Sequence, residues 1–340
     1  MPFLTLGGAT LRYDRAGAGP TLLLIHGWLG NRSFWERQVT ALRDRFTVVT
    51  VDLRGHGESS PPRTGYTIAG MAADLEQLVR AIGAQKVSIV GWSMGGMIAQ
   101  EFARRLGERA TGLVLVGTTA GAIADPKNPH GNPALAEEIQ KAVTADFRQF
   151  VRTFAAQIFK AGAASPLLAW ATGQMQRTPP HVAQACLESV LATDLRDKLS
   201  ALKVPTLMIH GRHDALFPLA MAEELKKGIS GAQLTVFEES GHSPHLEEPE
   251  RFNEAIAAFL GAGAAPAAAA APRPAQAAAP AAPKPSPAKA APAPKTQPKA
   301  EEHKAAAKPA AKKPAPAAKK PEKKAAKASD AKKPAKKKKR

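Results

Sequence analysis

Short, almost uninterrupted apolar runs recur along the first 260 residues, separated by longer segments in which apolar residues follow helical spacing. The runs lie at residues 21–25, 86–90, 111–116, 204–211 and 234–237. Runs of about four to eight such residues are typical of strands buried on both faces of a parallel sheet. Their alternation with helices predicts an α/β fold in which a mostly parallel central sheet is flanked by helices.

The stretch from about residue 120 to residue 203 departs from this alternation. It opens with a loop at residues 125–133, which contains three prolines, and prolines at such density interrupt regular structure. Helical runs follow at residues 134–160, 166–175 and 180–199. The large apolar residues of these runs, most of which we expect to pack in a core, are Phe147, Phe150, Phe154, Ile158, Phe159, Leu167, Leu168 and Trp170.

A change of composition near residue 261 divides the chain into two parts. Residues 261–340 are almost entirely Ala, Pro and Lys and contain no Phe, Trp or Tyr. They carry 21 Lys and Arg against four Asp and Glu, which accounts for +17 of the formal net charge of +18. Such a segment cannot bury enough apolar surface to offset its ordering entropy. We therefore predict one nearly neutral domain at residues 1–260 and a disordered, Ala/Pro/Lys-rich basic tail with extended polyproline II stretches at residues 261–340.

The charge of the tail predicts a polyanionic partner. A structureless polycation binds DNA or RNA by releasing counterions, without reading bases, and the Ala/Lys/Pro composition resembles the tails of histone-H1-like bacterial proteins. An anionic membrane surface and an acidic protein such as an acyl carrier are rival partners of the same charge chemistry. A solubilising linker without a partner is the remaining alternative.

The rest of the composition favours a cytoplasmic protein. Residues 1–6 lack the basic start and long apolar run of a signal peptide. No apolar stretch reaches the length of about 18 residues that a transmembrane helix needs. Cys186 is the single cysteine, which excludes an internal disulfide and fits a reducing compartment.

Chemistry enters with the sequence Gly-Trp-Ser-Met-Gly at residues 91–95, which lies between a predicted strand and a predicted helix. A sharp turn from strand to helix exposes the serine in a strained conformation, and its crowded neighbours must lack a Cβ. The N-terminus of the following helix also favours negative charge at the serine. We therefore predict Ser93 as a nucleophile.

A nucleophilic serine needs a base and an acid that orients the base, in the chain order serine, acid, histidine. Asp214 follows the run at residues 204–211, and His242 follows the run at residues 234–237. Because parallel strands end at the same edge of a sheet, both side chains should converge on Ser93. We assign His242 as the general base and acid and Asp214 as its orienting carboxylate. The alternatives are His213 and His245 for the base and Asp194 and Asp197 for the acid.

Two backbone N–H groups complete the predicted site. The strand at residues 21–25 ends in His-Gly-Trp at residues 26–28. An N–H from this loop and the N–H of the residue after the serine would hold the oxyanion of a tetrahedral intermediate. By position these are the N–H groups of Trp28 and Met94, and no cofactor or metal site is predicted.

Five motifs in this order resemble those of the α/β-hydrolase-fold serine hydrolases, over residues 3–260. They are the oxyanion loop at 26–28, an Asp-x-Arg-Gly-x-Gly-x-Ser turn at 52–59, the nucleophile elbow at 91–96, the acid loop at 211–214 and the histidine loop at 241–247. The resemblance implies that residues 120–203 form a helical cap, and that a few of its apolar residues line an acyl pocket.

The resemblance also implies the type of reaction. Relatives that open epoxides or remove halide carry aspartate at the elbow, whereas serine at position 93 implies transfer of an acyl group from a small acyl substrate to the serine. Carboxylesterases, including those that release pimeloyl groups from an acyl carrier protein, and enol-lactonases are similar in their motifs. We therefore expect cleavage of a carboxylic ester, thioester or lactone through an acyl-enzyme. The alternatives are hydrolysis of a carbon–carbon bond by the same triad and a polyanion-binding protein whose hydrolase scaffold is not catalytic.

Overall fold

The computed structural model describes residues 2–261, so the predicted tail lies outside the described residues except for Gly261. Eight strands are formed: β1 Phe3–Leu6, β2 Ala9–Ala16, β3 Thr21–Ile25, β4 Thr47–Val51, β5 Val87–Trp92, β6 Ala110–Val116, β7 Thr206–Gly211 and β8 Gln233–Phe237. The helices are α1 Glu36–Leu42, α2 Ile68–Ala81, α3 Met94–Leu106, α4 Pro133–Ala145, α5 Phe147–Gln157, α6 Leu168–Met175, α7 Pro180–Ala192, α8 Leu219–Gly228, α9 Pro244–Glu247 and α10 Pro249–Gly261. None of the helices within residues 2–261 has the length and apolarity that crossing a membrane requires.

The eight strands form one sheet in the order β1-β2-β4-β3-β5-β6-β7-β8. The pairs β1–β2 and β2–β4 are antiparallel, and all other pairs are parallel. Residues of β3, β4 and β5 are buried almost throughout, as expected for strands covered by helices on both faces. The predicted α/β fold with a mostly parallel central sheet is confirmed.

The strand register brings the predicted loops to one edge of the sheet. Ile25 at the end of β3 pairs with Gly91 of β5, and Trp92 pairs with Val116 of β6. The same alignment continues through β7 to β8, where Gly211 pairs with Phe237. The segments that follow β3, β5, β7 and β8 therefore begin side by side.

Helices α4–α7, which we call the helical insertion, lie between β6 and β7. The predicted helical run at residues 134–160 is two helices, because Asp146 is extended (φ −150°, ψ 90°) and caps α5 by accepting the Gln149 N–H at 3.0 Å. The predicted run at residues 180–199 ends at Ala192, where Thr193 leaves helical geometry (ψ 124°). A 3-10 turn then spans Arg196–Ala201. Both corrections are places where a polar residue stops a helix that apolar spacing alone would continue.

A fully buried carboxylate holds the turn at residues 52–59. Asp52 accepts the N–H groups of Arg32 at 2.7 Å and Glu58 at 2.8 Å, and it also pairs with the Arg32 guanidinium. Gly57 has φ +54°, and a Cβ there would overlap the Asp52 carboxylate. The family-like motif at residues 52–59 is therefore a structural turn that orders the segment after β4.

Candidate active site

Ser93 occupies the sharp turn between β5 and α3. Its φ of 57° and ψ of −122° lie in a region that residues with a Cβ rarely adopt. The turn is held by its own backbone: the Ser93 N–H donates to the Val116 carbonyl at 2.9 Å, and the Ser93 carbonyl accepts the Thr118 hydroxyl at 2.7 Å. Strain of this kind persists only when the surrounding structure over-determines it, and here β6 and its following loop provide that support.

The glycines on both sides of Ser93 are required by close backbone approach. A Cβ on Gly91 would overlap the Gly95 carbonyl oxygen, and a Cβ on Gly95 would overlap the carbonyl oxygens of Ile25 and His26. These neighbours are backbone atoms, which cannot move aside as the end of a flexible side chain can. The spacing Gly-x-Ser-x-Gly is thus explained by close packing of Gly91 against α3 and of Gly95 against the end of β3.

The structure brings His242 and Asp214 together. His242 Nδ1 lies 2.8 Å from Asp214 Oδ2, and both side chains are buried. The other carboxylate oxygen, Oδ1, accepts the N–H groups of Leu216 and Phe217, each at 2.9 Å. Although burial opposes ionisation, His242, the nearby His210 and the Phe217 N–H hold the pKa of Asp214 below its ordinary value. An ionised Asp214 only accepts, so Nδ1 of His242 carries a proton and donates this hydrogen bond.

The alternative acids and bases lie in other environments. His245 is fully buried against the rings of Trp35 (4.5 Å between centroids) and Trp92 (4.8 Å). Neither of its ring nitrogens has a hydrogen-bond partner among residues 2–261. His213 is exposed, and Asp194 pairs with the neighbouring Arg196 at 2.6 Å. None of them takes part in a pair like that of His242 and Asp214.

Trp28 and Met94 border the same cavity as Ser93. Met94 is the first residue of α3, and the first N–H groups of a helix have no partner within it. The indole Nε1 of Trp28 donates to the Ala183 carbonyl of α7 at 2.9 Å, so only the backbone N–H of Trp28 is left to face a ligand. Gly27 packs tightly here, because a Cβ on it would lie 3.0 Å from Ser93 Cβ. The position after β3 is therefore adjacent to the serine.

The cavity has a volume of about 360 Å³ and extends from Ser93 into the helical insertion. Most of its walls are apolar. They are formed by Trp28, Met94, Ile123, Leu135, Ala136, Ile139, Ala142, Phe150, Phe154, Leu187, Val190, Leu191, Ala215, Leu216 and Phe217, and the polar members are Ser93, Glu138, Thr153 and Gln157. Of the apolar residues singled out in the sequence, Phe150 and Phe154 line this cavity. An apolar enclosure of this size suits a small organic ligand.

Three residues near His242 and Ser93 were missed at the level of sequence. Trp92 donates its indole N–H to the His242 carbonyl at 2.8 Å. Thr118 supports the serine turn, as described above, and Gly117 (φ +46°) lies against His242 and Asp214. Trp92 was visible within the elbow motif, but its role depends on a contact 150 residues away in the chain. For Gly117 and Thr118, in the loop after β6, the only feature of the sequence that could have indicated a role is their position at the end of a strand.

Glu247 joins the histidine loop to the helical insertion. One of its carboxylate oxygens accepts the Lys160 N–H at 2.7 Å, and the other accepts the Gly241 N–H at 2.8 Å. Burial raises the pKa of Glu247, while these N–H donors act in the opposite direction. Lys160 also pairs with Glu239 through its ammonium group. The segment that follows α5 is thus fixed to the loop that delivers His242.

Comparison with known proteins places these features in one family. The sequence profile of the alpha/beta hydrolase fold matches residues 20–249. A pimeloyl-(acyl-carrier protein) methyl ester esterase of Nitrosomonas europaea is 31% identical over 253 residues, which cover 72% of this chain and 97% of that protein. Among solved structures, an esterase from Exiguobacterium antarcticum is 28% identical with a TM-score of 0.70, covering 74% of this chain and 96% of that one. The enol-lactonase from Burkholderia xenovorans LB400 is 25% identical with a TM-score of 0.69, covering 76% and 100% of the two chains.

Proposed function

The chain belongs to the α/β-hydrolase fold family and is a hydrolase of the ester and lactone type, and we propose that it cleaves a carboxylic ester, thioester or lactone through an acyl-enzyme on Ser93. The observation that carries this proposal is the strained Ser93 turn at the wall of an apolar cavity. Phe217 lines the same cavity and packs edge-on against the ring of His242, which forms a buried pair with Asp214. Serine at the elbow supports acyl transfer, because an ester formed on serine can be hydrolysed by water.

In the proposed reaction, Ser93 Oγ attacks the substrate carbonyl while His242 Nε2 takes the hydroxyl proton. Asp214 keeps the Nδ1 proton in place and stabilises the imidazolium that forms. The backbone N–H groups of Trp28 and Met94 stabilise the oxyanion of the tetrahedral intermediate. Collapse of this intermediate expels the alcohol, thiol or ring oxygen, which receives the proton from His242. A water molecule, deprotonated by His242, then attacks the acyl-enzyme. When the second tetrahedral intermediate collapses, His242 gives this proton to Ser93 Oγ, and the carboxylic acid product leaves.

The names of the similar proteins support an ester or lactone substrate. The Nitrosomonas europaea relative is a methyl ester esterase, and the Burkholderia xenovorans structure is an enol-lactonase. Both reactions open a carbon–oxygen acyl bond, so one arrangement of nucleophile, base and oxyanion donors serves both. Cleavage of a carbon–carbon bond would require stabilisation of a carbanion, and no cationic side chain lines the cavity within the described residues.

Labelling with a fluorophosphonate probe, read by intact mass, tests the proposal. We expect a single adduct on the wild type and none on Ser93→Ala, because only an activated serine reacts with the probe. Ser88→Ala is the matched control. Ser88 lies on β5, the strand that precedes Ser93, and its hydroxyl is 3.0 Å from that of Thr111. Ser88 does not line the cavity. It should label like the wild type. A folded wild type without an adduct would overturn the proposal in favour of a scaffold that is not catalytic.

For the tail we propose a separate role, tethering of the enzyme to nucleic acid. The charge of residues 262–340 supports this proposal: a polycation gains affinity from each phosphate it neutralises and loses it as salt rises. A chain that ends at Gly261 should hydrolyse a small ester as the full chain does and should elute from DNA-cellulose at much lower salt. Equal elution of the two chains would contradict the tether, and retention on heparin or anionic vesicles but not on DNA would indicate another polyanion.

A further inference from the structure

Most of the exposed residues that line the cavity lie on two helices of the insertion, α4 and α5, and we call this side the mouth of the cavity. Helix α4 contributes residues at helical spacing, among them Leu135, Glu138 and Ala142, and α5 contributes Phe150 and Gln157. Leu135, Glu138, Thr153 and Gln157 are exposed, as is Ala215 of the loop after β7, whereas Ser93, Met94 and Trp28 are buried. A substrate that reaches Ser93 by this route passes between the two helices.

The described side chains that line this passage carry a single charge, which is negative. Glu138 is the only charged side chain that lines the cavity within residues 2–261. No Lys, Arg or His of the described chain forms an ion pair with Glu138, although the adjacent Glu137 pairs with Lys141 at 2.5 Å. A carboxylate of the substrate would therefore pass an unpaired negative charge at the mouth and then lose its hydration inside without gaining a cationic partner. Both effects disfavour an anionic ligand.

We infer that the cavity selects substrates with an uncharged, apolar acyl group, and that Glu138 is a specificity-determining residue that disfavours acyl groups ending in a carboxylate. The inference rests on the proposed ester hydrolysis at Ser93 and adds the class of acyl group. A carboxylate inside the cavity would lose its hydration, and this desolvation contributes most of the discrimination between neutral and anionic acyl groups. Glu138 is exposed and acts through charge repulsion in water, so its own contribution is smaller.

Two activated esters of equal carbon number provide the test, 4-nitrophenyl hexanoate and the 4-nitrophenyl monoester of adipic acid. At low ionic strength and neutral pH we expect kcat/KM for the neutral ester to exceed that for the anionic ester by about 100-fold or more, since an unpaired carboxylate is costly to bury. In Glu138→Gln the ratio should fall about two- to fivefold, the usual range for an exposed charge. In Glu138→Lys it should fall further, by about tenfold, because repulsion becomes attraction.

Glu137→Gln is the matched control, since it removes a neighbouring carboxylate of the same helix that does not line the cavity. Its ratio should equal that of the wild type. A wild-type ratio near one would overturn the inference about the cavity. A ratio that Glu138→Lys leaves unchanged, or that Glu137→Gln lowers equally, would overturn the role of Glu138. Hydrolysis of neither ester, together with the absence of the fluorophosphonate adduct, would instead overturn the proposed function and this inference with it.

Discussion

The ring Nε2 of His210 lies 3.5 Å from Oδ2 of Asp214, the oxygen that also accepts the Nδ1–H of His242. The same Nε2 is 2.7 Å from the Phe217 carbonyl, which only accepts, so this nitrogen carries a proton. Burial lowers the pKa of His210, although Asp214 opposes the shift. We interpret His210 as a neutral positioning residue. Through Phe217 it holds the loop whose N–H groups bind the Asp214 carboxylate.

Removing the donor at position 210 should destabilise this loop. His210→Leu leaves the buried Phe217 carbonyl without its partner, which we expect to lower the free energy of unfolding by about 1–3 kcal/mol and to lower kcat. His210→Gln keeps an N–H donor and should lose less of both. Urea unfolding and hydrolysis of a neutral ester measure the two effects. Equal losses of unfolding free energy and kcat in the two variants would show that packing of the imidazole ring, and not its hydrogen bond to Phe217, supports the loop.

The contact between Trp92 and His242 makes a second prediction. Trp92→Phe keeps an aromatic ring against Phe34 but removes the indole N–H that binds the His242 carbonyl at 2.8 Å. Because small displacements of a catalytic group are costly, we expect kcat to fall about tenfold with little change in KM.

Trp170→Phe is the control for the substitution at position 92. Trp170 packs on the other side of Phe34, with ring centroids 4.8 Å apart, and donates no indole hydrogen bond to the described residues. The same exchange of rings should therefore leave kcat unchanged. Steady-state kinetics of the two variants decide the matter, and equal losses of kcat would point to aromatic packing instead of the hydrogen bond.

The central strands could be predicted from the sequence because they are buried on both faces. The run at residues 21–25 has the same bounds as β3, and the run at 111–116 differs from β6 by one residue. Burial on both faces leaves a continuous apolar signal, which local reading detects. Helix ends were predicted less well, as at Asp146, because there a single polar side chain competes with the apolar periodicity.

The supporting contacts of the site could not be predicted in the same way. The pairing of His242 with Asp214 could be predicted because each residue follows a strand of a parallel sheet, a relationship that chain order preserves. His210 was not found, because its role depends on the loop that folds back to bring the Phe217 carbonyl to its ring. Phe150 and Phe154 could not be told from core residues, since both uses give the same helical spacing.

The close packing of the serine turn predicts a large difference between two glycine substitutions. In Gly95→Ala the new Cβ would overlap the carbonyl oxygens of Ile25 and His26, so we expect a loss of about 1–3 kcal/mol or more in stability and loss of fluorophosphonate labelling. Gly173→Ala in α6 meets no atom within 4 Å and should be neutral or stabilising by up to about 1 kcal/mol. Thermal unfolding with probe labelling compares them, and a stable, fully labelled Gly95→Ala would contradict the packing argument.

Buried histidines give the protein a dependence on pH that has a definite sign. His26 Nε2 accepts the Leu53 N–H at 3.0 Å, so its proton must be on Nδ1, which lies 2.8 Å from the Gly27 carbonyl. A second proton on the ring would be directed at the Leu53 N–H. Burial lowers the pKa of His26 to about 4 and, with the nearby His26, that of His56 to about 3. Burial also holds the pKa of His245 well below its ordinary value.

These three imidazoles are neutral in the folded protein and titrate near pH 6.5 when the chain unfolds. Their contribution to stability is therefore present above pH 6.5 and is lost as pH falls toward the folded-state values. Below pH 6 we expect each to take up about one proton on unfolding, giving together a slope of about 4 kcal/mol per pH unit. His210, whose pKa burial also lowers, adds a smaller amount of the same sign. Urea unfolding from pH 7.5 to 5.5 measures this slope.

In His245→Leu the slope should fall by about one third, because one imidazole is gone. The free energy of unfolding at pH 7.5 should be retained, since the His245 ring has no polar partner in residues 2–261. A urea midpoint that does not change from pH 7.5 to 5.5 would contradict this prediction, because it would show that the three imidazoles are protonated equally in the folded and unfolded protein.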